Sequence, residues 1–286
     1  RLGRPADAAE IVDRALERLG RNPAPTKLFA DLNVARGRIA MAMGEFDTAF
    51  ISFTAGYEVF QDLGDTRSQA IVLQSLGSIY TAAGQYERSL QYFSDARERH
   101  SDPSLDLAAL NNIANAHREI GAYEAALSQY EGALAIAEEM GSPVLEARIL
   151  NNIAALHVQS EAYDLAEAVL DDAYRRVEGA GSGEWLRFLQ GVEAQISAGR
   201  GNYAGARDHL EQTFEGVPLD RSPQNFVEFH EVGTEIYAAL GQWEQALAHM
   251  RAFKRLDDEA RNVAASANSA LLGAEFEFAE QELQNQ

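Results

Sequence analysis

The sequence predicts an all-α fold, an α-solenoid of antiparallel helix pairs that ends in one long C-terminal helix. Two observations carry this expectation. A Gly, an aromatic two residues on and an Ala or Ser three further recur along the chain. They read Gly44-Glu-Phe46-Asp-Thr-Ala49, Gly84-Gln-Tyr86-Glu-Arg-Ser89, Gly121-Ala-Tyr123-Glu-Ala-Ala126, Gly201-Asn-Tyr203-Ala-Gly-Ala206 and Gly241-Gln-Trp243-Glu-Gln-Ala246, with Tyr163-Asp-Leu-Ala166 lacking the Gly. From Phe46 to Trp243 the aromatics are separated by 40, 37, 40, 40 and 40 residues, a period that marks stacked helix-turn-helix units. The second observation is the end of the chain. From Trp243 to Gln286 it holds no Pro and a single Gly, Gly273, so a continuous helix there would run to roughly 65 Å.

Taken in order, a degenerate first copy, Gly3-Arg-Pro5-Ala-Asp-Ala8, precedes six fuller ones. Their first helices are expected near 26–43, 66–83, 103–120, 143–160, 183–199 and 223–240, and each second helix begins at its aromatic. The fourth copy, Pro103 to Gly141, shows why. Ser101 and Asp102 are cap candidates, and Pro103 suits a first helical turn. Leu107, Leu110, Ile113, Ala114 and His117 then step by three and four along one face. Gly121 stops that helix, and Tyr123 opens a second with the stripe Tyr123, Ala126, Leu127, Tyr130, Ala133, Leu134 and Ala137. Gly141 fits a left-handed cap with Pro143 just beyond. Small residues at Gly77, Ala114, Ala154 and Ala194 let helices approach, and Phe53, Phe93, Tyr130 and Leu170 fill the space between. The sixth copy departs most. Gly191 and Gly199 lie inside its first helix, where each costs about 1 kcal/mol relative to Ala, and the loop Gly179-Ala-Gly-Ser-Gly183 precedes it.

Composition narrows the function classes. The chain of 286 residues has no Cys, which excludes disulfides and thiolate chemistry and fits a reducing, cytoplasmic setting. A formal charge of −20 disfavours nucleic acid, whose phosphates need Lys and Arg, and favours cationic partners or simple solubility. No run of about 18 apolar residues is present, so no membrane span is expected. The chain opens at Arg1 without a Met and is read as a piece of a longer protein. His117 and His157, one repeat apart, have no carboxylate at an equivalent position and no ligand spacing, so they read as packed side chains and no metal is expected. No phosphate-binding Gly loop or nucleophile elbow occurs, and no convergent acid, base or nucleophile set can be named. Neither a cofactor nor catalysis is therefore expected of this chain, although a catalytic domain beyond residue 286 would be compatible.

The residues Leu76-Gly77-Ser-Ile-Tyr80, then Gly84-Gln-Tyr86, Ser89, Phe93 and Ala96 resemble the tetratricopeptide (TPR) pattern, most of which recurs in copies four, five and seven. The period matches a 40-residue variety rather than the usual 34 residues. The resemblance implies a right-handed superhelix over residues 1–255, of about seven copies with the first incomplete, and a capping or signalling helix over 256–286. It also implies that the first helix of each pair lines a concave groove that takes a peptide or protein segment. Counting back from each aromatic, positions at minus 15, 12, 11, 8, 5 and 4 should face that groove. Copy three then offers Ile71, Gln74, Ser75, Ser78, Thr81 and Ala82. Copy four offers Ala108, Asn111, Asn112, Asn115, Arg118 and Glu119, and copy five Arg148, Asn151, Asn152, Ala155, Val158 and Gln159. The ligand-binding candidates are Gln74, Asn111, Asn112, Asn115, Arg118, Arg148, Asn151 and Asn152. An amide carries both donor and acceptor and can pair with a peptide backbone whatever its sequence, the role the resemblance implies for Asn112 and Asn152. Equally, Asn pairs can be spent tying one helix to the next. Charge on this face is uneven, with Arg38, Arg118 and Arg148 early and Glu228, Glu231 and Glu235 in copy seven, a pattern able to orient an extended ligand.

In the tail, Phe253, Leu256, Ala260, Val263, Ala267, Leu271, Ala274 and Phe278 step in coiled-coil fashion. Ala252-Phe-Lys-Arg-Leu256 and Leu271-Leu-Gly-Ala-Glu-Phe-Glu-Phe-Ala-Glu280 resemble the helix that ends the TPR region of bacterial signalling proteins and leads into a diguanylate cyclase or histidine kinase domain. That implies a sensory, peptide-binding module whose tail transmits a signal or forms a homodimer. Two alternatives fit the same residues: a free-standing scaffold, like animal spindle-orientation proteins with 40-residue repeats, or an intracellular receptor for a signalling peptide.

Overall fold

A computed structural model of the chain describes residues 5–20, 24–178 and 183–284. Gly3 of the degenerate copy, the loop residues 179–182 and the Phe278 side chain lie outside the described residues. Thirteen α-helices follow one another, and no strand occurs among the described residues. They are α1 (Pro5–Leu19), α2 (Lys27–Met43), α3 (Phe46–Asp62), α4 (Thr66–Ala82), α5 (Tyr86–Arg99), α6 (Pro103–Glu119), α7 (Tyr123–Glu139), α8 (Pro143–Gln159), α9 (Tyr163–Val177), α10 (Gly183–Gly199), α11 (Tyr203–Thr213), α12 (Val227–Ala239) and α13 (Trp243–Gln284). Consecutive helices pair antiparallel, and the class is an α-solenoid. Every second helix from α3 to α13 starts on the aromatic that marks its repeat. Only the last first helix differs from expectation. Pro218 and Pro223 hold the chain in two single 3-10 turns, Leu219–Arg221 and Gln224–Phe226, so α12 begins at Val227 rather than near 223.

The packing falls into two compact units, one of residues 1–120 with 262–286 and one of residues 121–261. In the first, α2 packs on α3 and α4 on α5, and the small residues do what their spacing implies. A Cβ on Gly37 would lie 2.6 Å from the Phe53 ring, and one on Gly77 would lie 2.8 Å from Phe93. Neither distance is tolerable for a real side chain, so the glycines set how closely the paired helices approach. Ion pairs tie successive repeats together. Asp65 caps α4 and accepts from Ser68 N, while Lys27 in the first turn of α2 reaches the same carboxylate at 2.5 Å. Asp102 caps α6, and Arg67 in the first turn of α4 reaches it at 3.1 Å. The Lys27 bond for Asp65, and the Ser104 hydroxyl and Leu105 N–H for Asp102, hold both carboxyls down at about 2.

The far end of α13 belongs to this same unit. Ala267, Ala270 and Leu271 are 0–2% exposed and join the core formed by Ala40, Phe46, Tyr80 and Ala83. Asn268 Nδ2 donates to the carbonyl of Ala83 at 2.7 Å, its Oδ1 accepts from Gln85 Nε2 at 2.8 Å, and Ser266 Oγ donates to the carbonyl of Gly44 at 3.3 Å. The tail thus reaches the turn that ends α2 through Gly44 and the turn that ends α4 through Ala83 and Gln85.

In the second unit, α8 to α12 share one core centred on Leu150, Leu170, Leu189, Leu210 and Ile236. Glu146 on α8, 5% exposed, is held by Arg176 of α9, which also reaches Asp172 and Glu138. The two glycines inside α10 have a packing role. A Cβ on Gly191 would meet Phe229 at 2.4 Å, and one on Gly199 would meet Tyr163 at 2.3 Å. At the turn before α9, Glu161 stands where the other copies have Gly and adopts φ 58°, against 71–76° for Gly84, Gly121, Gly201 and Gly241. An L-residue is strained there by about 1–2 kcal/mol. After the extra chain entropy of glycine, Glu161→Gly is expected to stabilise the protein by about 0.5–1 kcal/mol. A urea midpoint that fails to rise would show that the turn relaxes around Glu161 without cost.

Candidate ligand-binding face

Within the first unit, Asn111, Asn112, Asn115 and Arg118 lie on one face of α6 and are all half-buried. Part of their hydrogen-bonding capacity is already used. Asn111 and Asn115 each have an intramolecular partner, and Arg118 Nη2 donates to Glu119 Oε1 at 3.1 Å. Gln74 on α4 donates from Nε2 to the carbonyl of Leu105 at 3.0 Å, which uses one of the two N–H donors of its amide to join α4 to the start of α6. The neighbouring hydroxyls of the expected copy-three face, Ser75, Ser78 and Thr81, donate to the carbonyls of Ile71, Gln74 and Gly77 in their own helix.

One repeat earlier the same unit holds a cavity of about 330 Å3 lined by Asp31, Val34, Ala35 and Arg38 of α2, by Arg67 and Ile71 of α4 and by Phe60. Its α2 residues sit 15, 12, 11 and 8 positions before Phe46, the spacing defined for copies three to five. Applying that count to copy two would have found it. The cavity's charges largely cancel: Lys27 is shared between Asp65 and Asp31, and Arg67 is bound to Asp102. Arg38 is exposed and makes no ion pair among the described residues.

Within the second unit, Arg148, Asn151 and Asn152 lie on one face of α8, half-buried. Asn152 has an intramolecular partner. Arg148 Nε and Asn151 Oδ1 are sealed from solvent and have no hydrogen-bond partner among the described residues. Burial pushes the Arg148 guanidinium pKa down from its ordinary value, and no carboxylate acts against that shift. The next first helix, α10, packs against α8, and its Gln195, 8 residues before Tyr203, also has a buried, unpartnered Oε1. Gln195 was not singled out in the sequence because copy six reads as the most irregular. Ala155, expected on this face, is instead buried. In copy seven Glu235 accepts from Tyr203 OH at 3.1 Å, and Glu228 also has a partner, so that acidic row is partly engaged.

His157 is half-buried and its pKa is lowered, chiefly by burial. Among the described residues no group of three or more His, Asp or Glu could hold a metal ion. No described helix is long and apolar enough to cross a membrane.

A family model described as tetratricopeptide repeat matches residues 28–102 and 105–179. No curated protein sequence matches the chain. Among solved structures the chain is similar to the apo form of the quorum sensor NprR from B. thuringiensis, with a TM-score of 0.69, 16% identity and coverage of 88% of this chain and 71% of that one. It is also similar to the apo form of RapI, with a TM-score of 0.68, 13% identity and coverage of 91% and 92%. A Rap protein complexed with competence and sporulation factor gives a TM-score of 0.65, 14% identity and coverage of 91% and 72%. At such identities the likeness is one of fold. With the repeat pattern matched over more than half of its length, the chain belongs to the tetratricopeptide repeat family.

Proposed function

We propose that this chain is a binding module for an extended peptide or protein segment, held along the polar faces of its first helices. The observation that carries the reading is the pair of buried acceptors without donors, Asn151 Oδ1 on α8 and Gln195 Oε1 on α10. A buried acceptor left unmatched costs about 1–3 kcal/mol, so turning either amide oxygen out toward the face is favoured once an extended backbone supplies an N–H donor there. Asn112 stands on the polar face of α6, a first helix of the first unit.

In the fuller form of the proposal, residues 1–255 bind the segment and the helix of residues 256–286 passes the event on, as the sensory half of a larger, cytoplasmic signalling protein. Receptor of a signalling peptide is the second reading. Its support is that NprR is described as a quorum sensor and that the Rap neighbour was solved with competence and sporulation factor. A homodimer through α13 would use its exposed stripe of Trp243, Leu247 and Met250, and light scattering on the purified chain reads it.

The binding reading is tested by panning a randomised peptide display library on the chain and on an Asn151→Ala/Gln195→Ala variant. Enrichment on the parent and at least about tenfold weaker binding of the enriched peptides to the variant are expected, since two backbone bonds are removed. Equal binding to both proteins, or no enrichment, would sink it.

A further inference from the structure

We infer that two copies of this chain pair antiparallel through the first half of α13, about a two-fold axis beside Leu247. This makes specific the α13 homodimer named above and does not depend on the peptide-binding reading. The surface arises from a departure in the last repeat. In α3 and α5 the residue seven places after the opening aromatic, Phe53 or Phe93, lies against a glycine of its own first helix, Gly37 or Gly77. Phe53, Phe93, Tyr130, Leu170 and Leu210, all at that place, are 0–1% exposed. In α13 the equivalent packing falls to His249, six places after Trp243, whose ring a Cβ on Gly233 would meet at 2.6 Å. Met250, the seventh, is turned out and is 50% exposed, on one stripe with Leu247 at 44% and Trp243 at 69%.

A chain of charge −20 repels its own copies over most of its surface. The stretch from Trp243 to Arg261 nevertheless holds four acids and four bases and is neutral. Most of these charges are spent within the helix, Lys254 on Asp258, Arg255 on Glu259 and Arg261 on Asp257. Glu244 and Arg251 are exposed and make no ion pair among the described residues. They flank the stripe on one side, two turns apart and beyond the spacing at which side chains of one helix meet. The midpoint of Glu244 and Arg251 and the midpoint of Trp243 and Met250 fall half a residue to either side of Leu247. A two-fold axis there sets Leu247 on Leu247, Trp243 on Met250 and Glu244 on Arg251 of the second copy, the last two twice over. A parallel pair would set each residue beside itself, Glu244 on Glu244 and Arg251 on Arg251, which repels. Charge that complements itself around an apolar centre is what an isologous contact requires, and it favours a second copy over an unrelated partner. The surface is small, so the pair is weak and depends on concentration.

Sedimentation velocity on the 286-residue chain, from micromolar to millimolar concentration, reads the pairing. A monomer–dimer equilibrium is expected, and Leu247→Glu should abolish it with the thermal melt unchanged. Glu244→Arg and Arg251→Glu should each weaken the dimer about tenfold, since two attractive contacts become repulsive, and the double reversal should restore it. These two sites are exposed, so they keep the test open should Leu247→Glu fold poorly. Disulfide trapping reads the direction, and the absence of native Cys makes it clean. Trp243→Cys protein is expected to crosslink to Met250→Cys protein when the two are mixed, and neither to itself. A chain that stays monomeric throughout, or a dimer indifferent to Leu247→Glu, overturns both the inference and the α13 homodimer. A dimer lost with Leu247→Glu in which Trp243→Cys crosslinks to itself, or in which single charge reversals have no effect, keeps the homodimer and overturns the antiparallel pairing. Peptide enrichment is read separately by panning and bears on neither.

Discussion

A chain ending at Arg261 is expected to melt well below the 286-residue chain. Residues 262–286 supply Leu271, Ala267 and Ala270 to the core of the first unit, together with the Asn268 bonds to Ala83 and Gln85. Losing a buried Leu side chain costs about 2–5 kcal/mol, and each hydrogen bond removed adds about 0.5–1.5 kcal/mol. Against this stands the backbone order the segment no longer has to keep, which offsets part of the gain. A net loss of about 3 kcal/mol corresponds to a fall in Tm on the order of 6–12 °C for a protein of this size. Leu271→Ala in the full chain should give a smaller fall of the same sign, and Gly273→Ala, where nothing lies within 4 Å, should be neutral or slightly stabilising. Calorimetry on these proteins decides. Equal melting of the truncated and full chains would mean that the helix end is a linker lying loosely on the repeats.

The contrast between this tail and the repeats shows what the sequence makes legible. Each Gly-x-aromatic element is a local signal: a left-handed residue ends one helix and the aromatic begins the next, so Phe46, Tyr86, Tyr123, Tyr163, Tyr203 and Trp243 could be placed to the residue. The small-residue and aromatic pairs were legible for the same reason, since Gly77 and Phe93 occupy fixed positions within one repeat. The start of α12 was less so, because Pro218 and Pro223 impose local turns that override the 40-residue phase. The docking of Ala267, Ala270 and Leu271 was not legible at all. An Ala-rich stripe records that something approaches closely, but not which surface, and the bonds to this one span 183 to 222 residues of chain.

The candidate face divides in the same way. Helical spacing alone puts Asn111, Asn112 and Asn115 on one side of α6, and Arg148, Asn151 and Asn152 on one side of α8. It cannot say which amides are already spent. Gln74 is committed to Leu105, and Arg118 has Glu119 beside it. Arg148 and Asn151 keep buried atoms without partners. Partner choice depends on rotamers and on neighbours from other repeats, and neither is periodic.

Acid is expected to destabilise the second unit through one buried cluster. His230 and His249 are 0% and 3% exposed, with their Nδ1 atoms 3.0 Å apart, and His230 Nε2 lies 2.7 Å from Ser222 Oγ. Ser222 Oγ donates to the carbonyl of Leu219 and accepts from Arg255 Nη2. Its single proton being spent, it must accept from His230 Nε2–H, so His230 Nδ1 accepts from His249 Nδ1–H. One set of tautomers satisfies these bonds together, and in it both rings are neutral. Burial, with Arg255 beside His230 and His230 beside His249, pushes both down to about 4. Unfolded histidines take up protons near 6.5, so between about pH 6.5 and 4 the unfolded chain binds more protons than the folded one. Stability is therefore fully present above pH 6.5 and is lost as the pH falls toward 4, by up to about 2.7 kcal/mol per unit where both sites contribute. The depressed carboxyls of Asp65 and Asp102 act only at lower pH, below their unfolded values. His249→Gln keeps a polar side chain but removes one titration, and it should roughly halve the slope of the urea midpoint between pH 6.5 and 5 while lowering stability at pH 7. A parent protein whose midpoint is flat across that window would mean that the pair is hydrated or already charged, and the neutral network assigned to Ser222, His230 and His249 would be wrong.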